Sequence, residues 1–255
     1  MKPDYQNWMP LWMVRLAGGA AAVCLAASAL LGAWNSAAGC VLLFCAAAAV
    51  CAGGWMICMR RTFSYHGKRQ LSKHIIETVA THVTLPDGGV GLDVGCGSGA
   101  LTIACAKRNP NATFVGVDPW GDKYPTFSRS LCEQNARAEN ASNVTFVEGD
   151  ATALAFPDGT FDAVVSNYVY HNIPSKDRQA ILLETLRVLK KGGTFAIHDI
   201  FSKSKYGDMR SFIRKLRDMG YESVELIDTT GGRVITKWEA VWMGLSGSAL
   251  LVGKK

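Results

Sequence analysis

The pattern of apolar and polar positions changes character near residue 60. Upstream, two apolar runs, about Leu11–Trp34 and about Ala37–Met59, are parted only by Asn35-Ser36. Each is as long as the roughly 20 residues that cross a bilayer as a helix. The pattern predicts an antiparallel pair of transmembrane helices. Arg15 is the one charged residue from 11 to 59. It lies a turn inside the first run, where its stem can carry the guanidinium to the headgroups. Trp8, Trp12, Trp34 and Trp55 fall near the run ends, the interfacial depth that aromatics favour. A signal peptide fits poorly, because the charged start is weak, the run is long and a second run follows. A hairpin buried inside a soluble core stays open as the alternative. Richness in Ala, Gly and Ser suits close helix packing in lipid.

Downstream the period changes. Leu71, Ile75, Ile76 and Val79 recur at helical spacing against Lys68, Arg69, Lys73 and Glu77, which predicts an amphipathic helix over about 65–83. Pro86-Asp87-Gly88-Gly89 then reads as a turn. Short apolar runs follow at Gly89–Val94, Thr113–Val117, Val144–Val147, Phe161–Ser166, Gly193–His198, Ser223–Ile227 and Ser248–Val252. Helical patterns at Ala100–Arg108, Pro125–Glu139, Ser175–Leu189 and Asp208–Met219 separate them. Apolar strands alternating with amphipathic helices imply an α/β fold with a mainly parallel sheet covered on both faces. The expected division is a hairpin over 1–61 and one catalytic domain over 62–255.

Composition sharpens the address. The formal charge of +6 suits an anionic membrane surface at least as well as nucleic acid. Arg60, Arg61, Lys68, Arg69 and Lys73 follow the second run directly, while the turn between the runs has no positive charge. The positive-inside rule then puts both termini in the cytoplasm, with the chain multi-pass in the cell membrane. Eight cysteines occur without a CxxC pair or zinc spacing, so we read them as reduced, buried small hydrophobes rather than metal ligands.

The candidate chemistry begins at Asp93-Val94-Gly95-Cys96-Gly97-Ser98-Gly99. An apolar strand ends in a carboxylate, and a glycine turn opens a helix. Such a turn lets backbone approach a nucleotide-type ligand without Cβ clashes. Val117-Asp118-Pro119 ends the next strand, and a carboxylate there can accept from both hydroxyls of a ribose. Glu148-Gly149-Asp150-Ala151 follows the third strand, at an edge suited to adenine. Phe156–Asp162 turns into the fourth strand, which ends in Ser166-Asn167-Tyr168. Leu186–Gly193 reads as a helix stop and a turn into the fifth.

Five motifs in this order resemble the class I S-adenosylmethionine-dependent methyltransferases, in particular their quinone- and sterol-type small-molecule branch. The resemblance covers about Tyr65 to the C-terminus. It implies a Rossmann-like seven-stranded sheet, its seventh strand antiparallel between the fifth and sixth, preceded here by the transmembrane hairpin. It implies S-adenosyl-L-methionine as cofactor, with Asp93, Gly95, Cys96, Gly97 and Gly99 on its methionine and ribose side. Asp118, with Pro119 beside it, would take the ribose, Asp150 and Ala151 the adenine, and Asn167 would meet both cofactor and acceptor. Lys190-Lys191-Gly192-Gly193 departs from the family, which usually has a proline before these glycines.

Methyl transfer from a sulfonium needs chiefly alignment and desolvation, and a base where the acceptor carries a proton of high pKa. Tyr168, Tyr170 and His171 follow strand four at the edge where open α/β sheets bind ligands. His171 is the first candidate base, with Tyr168 beside it; His198-Asp199 is the second. The basic, aromatic stretch from Ile200 to Met219 could lie on headgroups or cover the sheet. Trp238, Trp242 and Met243 could line an acceptor pocket, dip into the interface or pack in the core. The expected partners are the lipid bilayer and a lipid-soluble or amphiphilic small molecule, with no nucleic acid, since no Asn-Pro-Pro-Tyr type of signature follows strand four. A small soluble thiol or amine as acceptor, and a non-catalytic cofactor-binding membrane protein, are the alternatives.

Overall fold

The structure is a computed structural model describing residues 2–32, 35–121 and 126–255. The chain divides into two compact units, one of residues 7–72 and one of residues 2–6 with 73–255. The first holds α1 (Leu11–Gly32) and α2 (Ser36–Thr62). Asn35 caps α2, its side chain accepting from the backbone N–H of Ala37 and Ala38, so the polar dipeptide between the runs starts the second helix. Gly32 and Gly39 meet where a Cβ on Gly39 would lie 2.9 Å from the Cα of Gly32, and the buried Ser28 hydroxyl donates to Gly39 O at 2.9 Å. Small residues thus bring the two helices together. Both are long and apolar enough to cross a membrane by length and composition. Cys40, Cys45, Cys51 and Cys58 are exposed on this unit, which corrects the expectation that all the cysteines are buried; Cys96, Cys105 and Cys132 are. Trp34 lies outside the described residues.

The second unit takes in α3 (Leu71–Ala80) from Lys73 onward. It alternates β1 (Val90–Val94), α4 (Ala100–Arg108), β2 (Thr113–Asp118), α5 (Arg129–Ala138), β3 (Val144–Glu148), β4 (Phe161–Asn167), α6 (Arg178–Arg187), β5 (Leu189–Ile200), α7 (Lys203–Tyr206), α8 (Met209–Asp218), β6 (Ser223–Asp228), α9 (Lys237–Trp242) and β7 (Ser248–Lys254). The seven strands form one sheet in the order β3-β2-β1-β4-β5-β7-β6. β7 runs antiparallel to both β5 and β6, and the other pairings are parallel. Leu92, Val164, Phe195 and Ile197 share one face of this sheet by register and are buried there with Leu182 of α6 and Phe212 of α8 in one core. Strand order reverses between β1 and β4, and ligands of open α/β sheets bind at such a switch point, beyond the carboxyl ends of the strands.

Several boundaries differ from those expected. α3 begins at Leu71 rather than near 65, because Gln70 has φ +48°, which no helix continues through. The helix expected at 125–139 is α5; its start at Pro125 lies outside the described residues. The helix expected to reach Leu189 stops at Arg187. Lys190–Gly193 is not a turn before β5 but a bulge within it: Phe161 pairs with Leu189 and Ala163 with Thr194. Two steps along β4 therefore face five along β5, and Gly192, at φ +76°, supplies the left-handed residue this needs. The Ile200–Met219 stretch covers the sheet. α8 turns Met209, Phe212 and Leu216 inward, so its apolar face is consumed by the core and its basic face is solvated.

Candidate functional site

The glycine turn after β1 is built mostly from backbone. Gly95 and Cys96 donate to Val117 O at 2.7 and 3.1 Å, and Gly99 to Cys96 O at 2.8 Å. Gly95, Gly97 and Gly99 all have positive φ, the region open to glycine and costly to other residues. At Gly95 sterics add a second reason. A Cβ there would lie 2.3 Å from Val169 Cγ2, so the loop rests against the turn that follows β4. Around Gly97 the nearest atoms to a Cβ are those of the Phe127 ring at 3.6 Å.

Side chains then fix the loop from three directions. Asp118, at the end of β2, accepts from Gly97 N and Trp120 N, each at 2.9 Å. Trp120 Nε1 and Cys132 Sγ both donate to Gly97 O, at 2.9 and 3.1 Å. Asn135 on α5 donates to Ser98 O at 3.0 Å and exchanges two hydrogen bonds with the backbone of Asp4, at 2.7 and 2.9 Å. Trp120, Cys132, Asn135 and Asp4 were not legible as site residues, because only the fold brings them to Gly97 and Ser98. Cys96 is placed differently from its expected role: its sulfur is 2.9 Å from where a Cβ of Gly116 would stand. The thiol points into the core, burial pushes its pKa well up, and only its backbone can face a ligand.

Asp93 is 1% exposed. One carboxylate oxygen accepts from Thr102 Oγ1 at 2.6 Å, and the other, Oδ1, is buried with no hydrogen-bond partner among the described residues. Burial raises its pKa to about 7, against the pull of the Thr102 hydrogen bonds. Burial also raises the Asp118 carboxyl, though hydrogen bonds from Trp120 and Gly97 oppose it. Gly99 caps α4 without a side-chain hydrogen bond, so the first turn of that helix presents N–H groups suited to an anion. Asp150 is exposed, accepts from Thr152 N at 2.8 Å, and leads into the buried Ala151; Pro119 is exposed beside Asp118. The segment after it is held by Arg187, which donates to Leu154 O and Phe156 O, each at 2.9 Å.

An orphaned buried carboxylate oxygen, a Cβ-free cradle and an uncapped helix start fit the ammonium and carboxylate of a methionine moiety. Asp118 and the edge at Asp150-Ala151 fit ribose and adenine. The chemistry of these residues is compatible with S-adenosylmethionine.

Across the switch point, β4 ends at Asn167, and Tyr168 has φ +56°. That left-handed residue turns the chain sharply into the short 3-10 segment Tyr170–Asn172. His171 Nδ1 lies 2.5 Å from Asp199 Oδ1, and His171 N donates to Asp199 Oδ2 at 3.2 Å. Asp199 is fully buried while the imidazole keeps 14% side-chain exposure. The second candidate base fails on this geometry. His198 and Asp199 are neighbours on a strand, so they face opposite sides of the sheet. His198 is 1% exposed, bonded to Asn167 Oδ1 at 2.9 Å and Thr229 Oγ1 at 3.0 Å. Burial lowers its pKa to about 4, leaving it a neutral strut for Asn167. The Tyr168 hydroxyl lies 2.8 Å from Ser248 Oγ, and burial pushes its pKa well above the usual phenol value; it can donate a hydrogen bond but not act as a base.

Residues 92–197 match the family described as a methyltransferase domain. Over 110 residues the chain is 36% identical to a demethylmenaquinone methyltransferase of Anoxybacillus flavithermus, a stretch covering 42% of this chain and 42% of that one. Over 127 residues it is 35% identical to a fatty-acid O-methyltransferase of Mycolicibacterium smegmatis, covering 50% of this chain and 42% of that one. The chain thus spans less than half the length of these two relatives. Among solved structures, the [4+2]-cyclase SpnF superposes with a TM-score of 0.55 at 21% identity, over 73% of this chain and 82% of that one, a likeness of fold alone. With the sheet order, the glycine turn and the strand-end carboxylates in place, residues 92–197 are a methyltransferase domain, set in the Rossmann-like sheet of the class I S-adenosylmethionine-dependent enzymes.

Proposed function

We propose that this protein is a membrane-anchored S-adenosylmethionine-dependent methyltransferase acting on a lipid-soluble or amphiphilic small molecule. One observation carries the catalytic part: the His171–Asp199 pair lies across the switch point from the glycine turn. When bound, the cofactor supplies an electrophilic methyl group on a sulfonium. Asp93, the glycine turn and Asp118 hold its polar groups; Ala151 and Asp150 border the adenine. Asp199 accepts from Nδ1–H of His171, which leaves the Nε2 lone pair free to take a proton from an acceptor hydroxyl. Tyr168, held by Ser248, walls the acceptor side, and Asn167, held by His198, stands between cofactor and acceptor.

The two apolar helices support the membrane address. The basic residues after α2 and the uncharged turn before it favour a cytoplasmic domain. The named quinone and fatty-acid methyltransferases act on lipid-soluble compounds, which favours that acceptor class. The test is transfer of labelled methyl groups by the full chain in lipid vesicles, offered a cell lipid extract, small thiols and small amines. Label in the lipid-soluble fraction is the expected result; label confined to soluble thiols or amines overturns the acceptor class. Deleting the hairpin is a poor test, because it also removes Asp4 from Asn135 and disturbs the loop.

A further inference from the structure

The three aromatic or sulfur-bearing side chains of the α9 region separate in the structure. Met243 is buried at 4% and Trp242 is half-buried, whereas Trp238 is 74% exposed, and Val241 beside it is 70% exposed. They are three apart on a helix, so they share one face. Among the large apolar side chains described in the catalytic unit, only Met219 is otherwise comparably exposed. α9 is not loosely attached: Thr236 and Glu239 form a capping box, Glu239 Oε2 accepting from Thr236 N at 2.8 Å and Thr236 Oγ1 from Glu239 N at 3.1 Å. That box turns the one carboxylate of the 229–247 segment inward. Its two cations, Arg233 and Lys237, stay exposed.

This segment also borders the acceptor side. It leaves the sheet at Thr229, which is bonded to His198, and returns at Ser248, which is bonded to Tyr168. Thr229 Oγ1 also lies 2.9 Å from Ser248 O, so the two ends of the segment meet. An apolar pair flanked by cations matches an anionic bilayer surface, the exposed Asp228, which interacts with Lys237, being the nearby carboxylate that opposes it. Trp and aliphatic side chains enter the interface there while Arg and Lys meet the headgroups.

We propose that the outer face of α9, Trp238 and Val241 with Arg233 and Lys237, docks on anionic phospholipid and opens the acceptor side toward the bilayer. This rests on the membrane-anchored reading above. It is tested on the full chain reconstituted in phosphatidylcholine–phosphatidylglycerol vesicles, with an encoded photo-crosslinking residue placed singly at Trp238, at Val23 of α1 or at Arg129 of α5. Phospholipid adducts at 238 and 23 but not at 129 are the expected result. Removing phosphatidylglycerol, or substituting R233Q and K237Q, should lower the yield at 238 by about fivefold per charge and leave the yield at 23 unchanged. Adducts at 23 with none at 238 overturn the docking and leave the anchor standing; none at either overturns both. Adducts at 238 to a second copy of the chain overturn the lipid assignment in favour of self-association.

Discussion

Gly95 offers the sharpest test of how the cofactor turn is held. Alanine there must adopt φ +75°, which costs an L residue roughly 1–2 kcal/mol. Its Cβ must also enter the space of Val169, 2.3 Å from Cγ2 and 2.6 Å from Cγ1, an overpacking worth about 1–3 kcal/mol. The Gly95→Ala variant should therefore lose about 2–5 kcal/mol, or roughly 5–15 °C of Tm for a domain of this size. Val169→Ala alone removes two methyl groups from a partly buried site and should cost about 1.6 kcal/mol. In the double variant both Cγ contacts are gone; the Cβ of residue 169, 3.0 Å away, needs only a shift of a few tenths of an ångström, and the φ cost persists. The double-mutant cycle should show a favourable coupling of about 1–3 kcal/mol. Intrinsic-fluorescence melts in one detergent at one scan rate read all four proteins. A Gly95→Ala melt within 1 °C of wild type (well under the roughly 5 °C expected), or costs that simply add, would refute the packing of the turn on Val169.

Asp118→Ala strips the acceptor from two backbone N–H groups and from the ribose. Titration calorimetry should show cofactor Kd rising about 10- to 100-fold, from charge-assisted hydrogen bonds of roughly 1.5–3 kcal/mol; an unchanged Kd counts against this role. Asp93 has its pKa raised to about 7, and only its ionised form attracts an ammonium group. Cofactor affinity should then rise with pH through 7, falling about tenfold per unit well below it, while Asp93→Asn should flatten that limb. His171→Ala and Asp199→Asn should slow transfer to a hydroxyl acceptor by about 10²–10⁴ with cofactor Kd unchanged. Loss of cofactor binding in either variant would move the pair to the cofactor side.

The motifs legible in the chain were those whose parts are adjacent in sequence. A strand, its terminal carboxylate and a glycine turn occupy consecutive residues, and Asp118 and Asn167 sit at strand ends that the apolar runs mark by themselves. Sheet order followed from the family resemblance, which the observed order β3-β2-β1-β4-β5-β7-β6 matches. Pairings across the fold were not legible. His198-Asp199 reads as a pair because the residues are neighbours, yet strand alternation separates them. Asp199 instead meets His171, 28 positions away. The double glycine at 192–193 signals a turn in either case, and only the pairing of β5 with β4 makes it a bulge. Which of Trp238, Trp242 and Met243 is buried depends on how a six-residue helix is capped.

The most direct measurement of the central claim is a mass balance. The full chain in vesicles, given S-adenosylmethionine and a cell lipid extract, should form S-adenosylhomocysteine and a methylated lipid-soluble product in equal amounts, both lost in His171→Ala. Cofactor that binds but is never converted, with any lipid or soluble acceptor offered, would contradict the account.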